Sequence, residues 1–590
     1  MRDKKDIIFF IAIFFVIVFK IKLLLDSPLA LNVNTGFDDL LQIKNSLSIV
    51  SGDWLGKEYF FTTMAKNVSY PFFLAISNFF NLPYGFSYGI FISISCLIFL
   101  KAIAPIFNSR IKLFFIFIFI MFVPISFDAT YRIYRNSLVP WSVLMILSSF
   151  IAIYIRREYN IKKLIPWSII GFFALGFFWY LREDSIWITP FFIVVIPIFF
   201  TSYYLRSGQI KKVLIKTLVI VFPLFGIGVF GSLISFKNYQ EYGIWAVNDR
   251  TATEAPKLMS LIYKIDDGSN TDKDVWASRK SFELAIDASP TLKKYEEIIL
   301  SSYGLWAGDE ADIKGDISYW ALRFAFEEDG LYHNNAEKTN EVYKKSYSEL
   351  QDAFEKGILK KKKGIYLSSQ TGAFQLSDFR QTLAMSLPVT KEFLSYTNTS
   401  LSENYLNYSS LSNSDLIYFE NILNTNLPRT DEQLLNLELP INYENYSLDL
   451  ASVDNEVVLV NNNIKRSRKN SFQIQNTITS FYIKLSPLLV IVSFLGYLIL
   501  IFDIFNIKNR FSLEIFLIIT GCVLLGFVNI FVVVLFSRWL ASEPTSYIFG
   551  YYASSSYLLY SLAMLLGMFY FFEVISKLKF FKKFIFSKIS

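Results

Sequence analysis

The chain has 590 residues, 53% of them hydrophobic, with 61 Phe, a formal net charge of +7 and a mean hydropathy of +0.38. That composition excludes an ordinary soluble protein, and basic residues confined between apolar runs exclude a nucleic-acid-binding surface. Two cysteines inside apolar runs, Cys96 and Cys522, exclude a disulfide framework outside the membrane, and a single histidine, His333, argues against histidine-based catalysis and a His-rich metal site. The abundance of Phe, Ile, Lys and Asn fits an AT-rich bacterial genome.

In chain order, the first apolar span runs from about Ile7 to Leu25. It is too long for a signal peptide and lacks a small-residue cleavage site, so it reads as a retained helix. Further spans are predicted to begin near Phe86, Leu113, Leu138, Leu164, Ile186, Val213, Leu485, Leu513 and Ser554, which makes ten. With the N-terminus inside, every second loop is basic: Arg110 and Lys112; Arg156, Arg157, Lys162 and Lys163; Arg206, Lys211 and Lys212; Lys508 and Arg510; and the tail with Lys577, Lys579, Lys582 and Lys583. This repeated bias puts both termini in the cytoplasm. It also places outside the first loop (26–85), the turn Asp128–Asn136, the tip Arg182–Ser185 and the long segment from about Lys237 to Lys484.

The expected fold class is therefore a polytopic α-helical membrane protein of about ten transmembrane helices. Its domains are a seven-helix module (1–236) with an amphipathic first outer loop (26–85), a mainly α-helical extracytoplasmic domain (237–484) and a three-helix module (485–590). In the first loop, Asp39, Leu40, Leu41, Ile43, Leu47, Ile49 and Val50 have helical apolar spacing, which predicts an interfacial helix capped by Asp38 or Asp39. Ser51-Gly52-Asp53 ends it, Trp54, Tyr59, Phe60 and Phe61 suit an interfacial belt, and a second amphipathic piece covers Tyr70–Phe80. In the long outer segment, helices are predicted over Asp316–Glu328 and Ala336–Gly357; the latter has Tyr343, Tyr347, Leu350 and Phe354 on one face and Gly357 as its stop.

Three outer charge groups could carry chemistry. Asp38-Asp39 could supply a general base or hold a divalent ion, Mg or Mn; the plainer alternative is a helix cap beside a solvated neighbour. Tyr131-Arg132-x-Tyr134-Arg135 puts two guanidiniums on the outside, matched to phosphate oxygens or to lipid headgroups. Leu181-Arg182-Glu183-Asp184 packs three charges into a short turn near membrane depth, a functional group or a self-paired hairpin tip. Lys66 before Tyr70-Pro71, and Arg538 and Glu543 near Tyr551-Tyr552, are weaker and read as interfacial. Glu327-Glu328-Asp329 reads as a solvated helix end and Lys360–Lys363 as an exposed turn. No Gly-rich phosphate loop is present, and the inner loops are too short to bind a nucleotide. An activated donor would therefore have to arrive within the membrane.

An N-terminal span, a carboxylate pair soon after it, an amphipathic outer loop and a chain of spans followed by an outer domain resemble the GT-C glycosyltransferase superfamily. More narrowly, Phe37-Asp38-Asp39, Ser51-Gly52-Asp53-Trp54-Leu55-Gly56, Lys66-x-x-x-Tyr70-Pro71-x-Phe73-Leu74-Ala75, Tyr131-Arg132-x-Tyr134-Arg135, Leu181-Arg182-Glu183-Asp184-x-Ile186-Trp187 and Trp320-Ala321-Leu322-Arg323 resemble an uncharacterised bacterial membrane family within it. The resemblance implies transfer of a sugar, with inversion, from a polyprenyl-phosphate donor to an envelope glycan, teichoic acid or exported protein at the outer face. It implies Asp38 and Asp39 as catalytic residues and Arg132, Arg135 and Arg182 as the holders of donor phosphate. Lys66, Tyr70, Glu183 and Asp184 would support them. The competing expectations are a polysaccharide polymerase and a flippase or transporter for a lipid-linked glycan.

Overall fold

The computed structural model describes residues 4–31, 33, 36–107, 109–127, 132–269, 273–333, 336–397, 408–430, 433–434, 450–507 and 510–577. The first part holds α1 (Lys4–Leu25), α2 (Asp39–Val50), α3 (Ser69–Phe79), α4 (Tyr84–Ile103), α5 (Arg110–Met121), α6 (Val139–Ile155), α7 (Ile165–Trp179), α8 (Thr189–Ser207), α9 (Ile210–Val221) and α10 (Phe225–Tyr242). The middle holds α11 (Glu254–Ile262), α12 (Arg279–Ala288), α13 (Pro290–Lys293), α14 (Glu296–Ala307), α15 (Ile317–Glu328), α16 (Ala336–Glu355), α17 (Leu376–Ser395) and α18 (Asn413–Leu423). The last part holds α19 (Leu450–Ile507), α20 (Arg510–Ser537), α21 (Tyr547–Tyr552) and α22 (Ser555–Lys577).

Among the described residues, nine helical segments are long and apolar enough to cross a membrane. The chain is a multi-pass helical membrane protein. Ile, Phe and Leu stand out from the bundle on α1, α8, α19 and α20, as lipid contact requires, while α6 is almost wholly enclosed and forms the bundle's centre. Of the ten expected spans, the one near Leu113 falls short. Its helix, α5, has 12 residues, about 18 Å, because it ends at Phe122 ahead of Pro124. The chain still passes from one end of the bundle to the other there. Arg110 bonds Asp6 at the start of α1, Ser126 accepts from Lys20 further along α1, and Arg132 reaches Asp39 beyond its end.

Alternating connections therefore gather at two ends. One end joins Asp6 to Arg110, Arg156 to the carbonyls of Lys101 and Ala102, Glu158 to Arg206, and Lys112 to Glu573. The buried pair Arg157–Glu514, at 3.1 Å, fastens the last helices to the first there. The other end carries α2, α3, the middle section and the turns at Arg132–Ser137, Tyr180–Ser185 and Arg538–Ser554. The first and last described residues lie at the first end and the middle section at the second.

The middle section divides between two hydrophobic clusters. Residues of α11–α16 form a core with Leu41, Leu55, Tyr59, Met64 and Val68 of the first loop. Val389 and Phe393 of α17, Tyr396 directly after it, and Leu416, Phe419 and Ile422 of α18 join the bundle core instead. Tyr396 reaches Ser561 inside α22, so α17 dips into the bundle. α19 has 58 residues, about 87 Å, nearly three times the hydrocarbon thickness. The eighth span is thus about the last two-fifths of one continuous helix. Gly496 of α19 meets the Gly567 carbonyl of α22 so closely that no Cβ would fit, the small-residue contact typical of packed membrane helices.

The two predicted middle helices form as Ile317–Glu328 and Ala336–Glu355, and Gly357 ends the second at φ +72°. Trp54, Tyr59 and Phe61 of the aromatic belt pack against the core of the middle section, while Phe60 is exposed. Trp54 donates to Asn238 at 2.7 Å, Tyr59 to Asp249 at 2.7 Å, and the Phe61 carbonyl accepts from Arg323, so the loop is clamped to the middle section. The Lys360–Lys363 run is pinned by backbone bonds Asp266 to Lys360 and Lys362 to Lys264. Residues 128–131, which include Tyr131, lie outside the described residues, as does half of 397–448.

Candidate functional site

The site is built by three connections that the alternating spans bring to one end. The first supplies Asp38, Asp39 and Lys66, the second Arg132, Tyr134 and Arg135, and the third Arg182, Glu183 and Asp184. Their side chains form one network. Lys66 Nζ donates to Asp38 Oδ1 at 2.7 Å, and Tyr134 Oη donates to the same oxygen at 3.0 Å. Arg132 grips Asp39 with two parallel bonds, Nε to Oδ2 at 2.7 Å and Nη2 to Oδ1 at 2.6 Å. Arg135 Nη1 donates to both Glu183 oxygens, at 2.8 and 2.7 Å, and the Asn67 backbone N–H adds 2.8 Å to Oε1. That last bond ties the residue after Lys66 to the third connection.

The three groups meet, but their charges are taken up by one another. Four cations, Lys66, Arg132, Arg135 and Arg182, face four carboxylates, Asp38, Asp39, Glu183 and Asp184. Arg182 behaves as a hairpin tip: it pairs with Asp184 two residues on, and its Nη1 donates to the Tyr552 carbonyl at 2.7 Å. Three of its N–H groups are engaged and its side chain is 7% exposed, so it serves as a clamp. Arg135 is 8% exposed and bound to Glu183 through Nη1, with its buried Nε left without a partner in the protein. Arg132 differs, being 29% exposed with Nη1 uncommitted. Among the three arginines it is the one placed to meet a ligand oxyanion.

The carboxylates also divide. Asp39 is 4% exposed at its side chain and both oxygens bind Arg132. Asp38 is 36% exposed and only Oδ1 is engaged, so Oδ2 is the reachable carboxylate oxygen. Burial pushes Asp38 upward, but the Lys66 ammonium and then the Arg135 and Arg132 guanidiniums outweigh it and hold the acid far below its ordinary range. Asp39 goes the other way: burial raises it, against the pull of Arg132. Glu183 is buried, yet Arg135, Lys66 and Arg250 bring it down to about 2. Burial also lowers Lys66, with Asp38 opposing.

The capping expectation is corrected. Asp38 occupies the N-cap position of α2, but its side chain bonds no helix N–H, and Asp39 turns to Arg132. An ion pair outbids a cap worth about 1 kcal/mol when a guanidinium is in reach. The expectation of an interfacial α2 with an outward polar face is corrected too. α2 lies between the two hydrophobic clusters, and its polar residues Gln42, Asn45 and Ser46 are buried. The carboxylate pair also offers a metal no chelating face. Both oxygens of Asp39 are taken, one of Asp38 is, and no cluster of three or more candidate ligands occurs among the described residues.

Several contributors were underweighted in the sequence. Tyr551 and Tyr552, read as interfacial, complete the site from the far end of the chain. Arg132 lies against the rings of both Tyr134 and Tyr551, at 5.0 and 4.9 Å, which stack on each other at 6.2 Å, and Arg182 lies 5.2 Å from the ring of Tyr552. Arg250 pairs with Asp316, sits 5.7 Å from the Trp320 ring and adds positive potential at Lys66 and Glu183; nothing in its sequence context marks it. Tyr70 is fully buried beside Tyr84, Tyr551 and Asp39. Arg538 goes elsewhere, to Asp378 at 3.0 Å. Glu327 accepts from the Phe61 N–H, which ties the end of α15 to the first loop. The two cavities described, one of about 10 Å³ beside Arg250 and Asp316 and an open groove of about 410 Å³ beside Asp26 and Asn424–Asn426, are not lined by the ion network.

Comparison of the chain with protein-family models, with curated proteins and with solved structures finds no match.

Proposed function

We propose that the chain is a bacterial membrane glycosyltransferase of the GT-C type, moving a sugar from a polyprenyl phosphate to a cell-envelope acceptor. The observation that carries this reading is the meeting of the three charged connections at one end of the bundle, with one carboxylate oxygen and one guanidinium left to face a ligand. Charges at membrane depth are costly and are kept for a use. The basic bias of the loops at the opposite end supports an outward-facing site.

Asp38, held ionised by Lys66 and Tyr134, accepts the proton of an acceptor hydroxyl at Oδ2. The acceptor oxygen forms its bond to the anomeric carbon as the carbon–oxygen bond to phosphate breaks. The electron pair leaves with the phosphate, and the anomeric centre inverts. Arg132 meets the charge growing on that phosphate, while Arg135, Glu183, Arg182 and Asp184 keep the frame rigid. No step passes through a metal. The lipid-borne donor accounts for a chain with no nucleotide-binding loop.

The buried Lys20 favours a second reading, a transporter of a lipid-linked glycan. Its ammonium lies inside the first span, bonded to Ser126 Oγ at 2.6 Å, and ionisable groups within spans suit transport pathways. One assay separates the two. Purified protein in lipid nanodiscs is given radiolabelled polyprenyl-phosphate sugar and envelope acceptor. Label moving from lipid to acceptor, lost in Arg132→Ala, supports the transferase; intact donor after long incubation with every acceptor refutes it.

A further inference from the structure

We infer that the buried polar side of α2 is a subsite for the hydroxyls of a sugar ring, walled by Gln42, Asn45 and Ser46 beside Asp39. The assignment of that sugar to a lipid-linked donor rests on the glycosyltransferase reading; the subsite itself does not.

At 3.6 residues per turn, Asp39, Gln42, Asn45 and Ser46 share one side of α2. Leu40, Ile43 and Leu47 turn toward the bundle core, and Leu41 and Ile49 toward the core of the middle section. The polar side falls in the seam between these cores. Gln42 and Ser46 are wholly inaccessible, yet both amide atoms of Gln42, Asn45 Nδ2 and Ser46 Oγ have no hydrogen-bond partner in the protein. Buried polar atoms are nearly always bonded, so a run of unmet ones within two turns of helix calls for a polar partner. An apolar seam would hold the two cores together better.

The chemistry of the unmet atoms narrows the occupant. A phosphate offers only acceptors and would need donors alone. This wall presents an amide donor and an amide acceptor on Gln42, a donor on Asn45 and a hydroxyl that does either on Ser46. Alternating donors and acceptors match neighbouring hydroxyls of a sugar. Asp39 stands one turn away, and Tyr551, whose hydroxyl is also unpartnered, adds an aromatic ring against Arg132. The six-residue α21 carries Tyr551 over Arg132 and is fastened by Asn136 to the Tyr551 carbonyl and Arg182 to the Tyr552 carbonyl.

The test compares wild type, Gln42→Leu and Ser46→Ala in nanodiscs by thermal denaturation. The probes are methyl hexosides on the order of 10 mM, polyprenyl-phosphate hexose and bare polyprenyl phosphate. The proposal expects a hexoside to stabilise wild type and neither variant, affinity for the lipid-linked hexose to fall about tenfold in Gln42→Leu, and binding of bare polyprenyl phosphate to hold. It also expects Gln42→Leu without ligand to melt no lower than wild type, since replacing an unbonded buried amide by an isosteric apolar group is neutral or stabilising. The inference fails if no hexoside protects wild type, or if the variants are protected equally. It fails also if Gln42→Leu melts lower and binds normally, which would make the seam a water-filled structural joint. Should Gln42→Leu not insert, Ser46→Ala decides on the same criteria. Hexoside protection lost in the variants, with no transfer from any lipid donor, would sustain the subsite and sink the transferase.

Discussion

Asp38→Asn and Asp39→Asn should fail in different ways. Asp39 is buried and gives both oxygens to Arg132. Removing one partner of a buried pair costs about 3–5 kcal/mol. Arg132 is partly exposed, so water recovers some of this, leaving about 2–3 kcal/mol. Asp38 is more than a third exposed, and asparagine keeps an oxygen for Lys66 and Tyr134, so its loss costs about 1 kcal/mol. In a chain of this length each kcal/mol moves Tm by only about 1 °C. The expected shifts are about 1 °C for Asp38→Asn and about 2–3 °C for Asp39→Asn. Activity should rank the other way. Removing the proton acceptor costs about 10²–10⁴ in rate, or roughly 3–5 kcal/mol of activation. The assay is sugar transfer from a polyprenyl-phosphate donor per unit of inserted protein, with melting followed on the same preparations. Near wild-type transfer by Asp38→Asn would refute its role. A larger Tm loss in Asp38→Asn than in Asp39→Asn would refute the reading of the network.

Glu183 has its acid lowered from 4.5 to about 2, so its contribution is complete above pH 4.5 and lost as pH falls towards 2; Tm should decline over that window in wild type, and Glu183→Gln should flatten the decline. A slope unchanged in the variant would show that other groups carry it. Reporters fused after Lys163 and Lys212 should read cytoplasm and one inserted near Lys361 should read outside; the reverse would remove the argument for a lipid-borne donor. Gly496→Val should separate α19 from α22 at the Gly567 carbonyl and cut the yield of folded protein in detergent severalfold by size-exclusion chromatography, whereas an unchanged profile would deny the close contact. Arg323→Met should strip the Phe61 carbonyl and Asp249 of their shared partner and leave the buried Asp249 without a cation, held by Tyr59 alone, at about 3–5 kcal/mol; protease sensitivity of the first loop would report it, and unaltered digestion would contradict the clamp.

Membrane class, the order of the spans and the three charged connections were legible in the chain because each is a local signal. Hydropathy over about twenty residues needs no knowledge of neighbours, and loop charge is counted loop by loop. Alternation then forces every second connection to one end, so the sequence also implied that Asp38, Arg132 and Glu183 would lie near each other. It could not say which charge takes which. Asp39, beside an apolar run, has the local marks of a helix cap, and only the approach of Arg132 from ninety-three residues away converts it into half of an ion pair. Gln42, Asn45 and Ser46 look like the wet side of a surface helix, since periodicity reports two faces and not which face meets water. Packing α2 between two cores reversed that reading. Tyr551 joined the site because α20 and α22 carry the turn between them back over Arg132, a contact that depends on how the last helices stack against the first. The sequence determined what is in the membrane and which end is charged; pairing, burial and the reach of Asp38 were decided by side chains that are distant in the chain and adjacent only once it is folded.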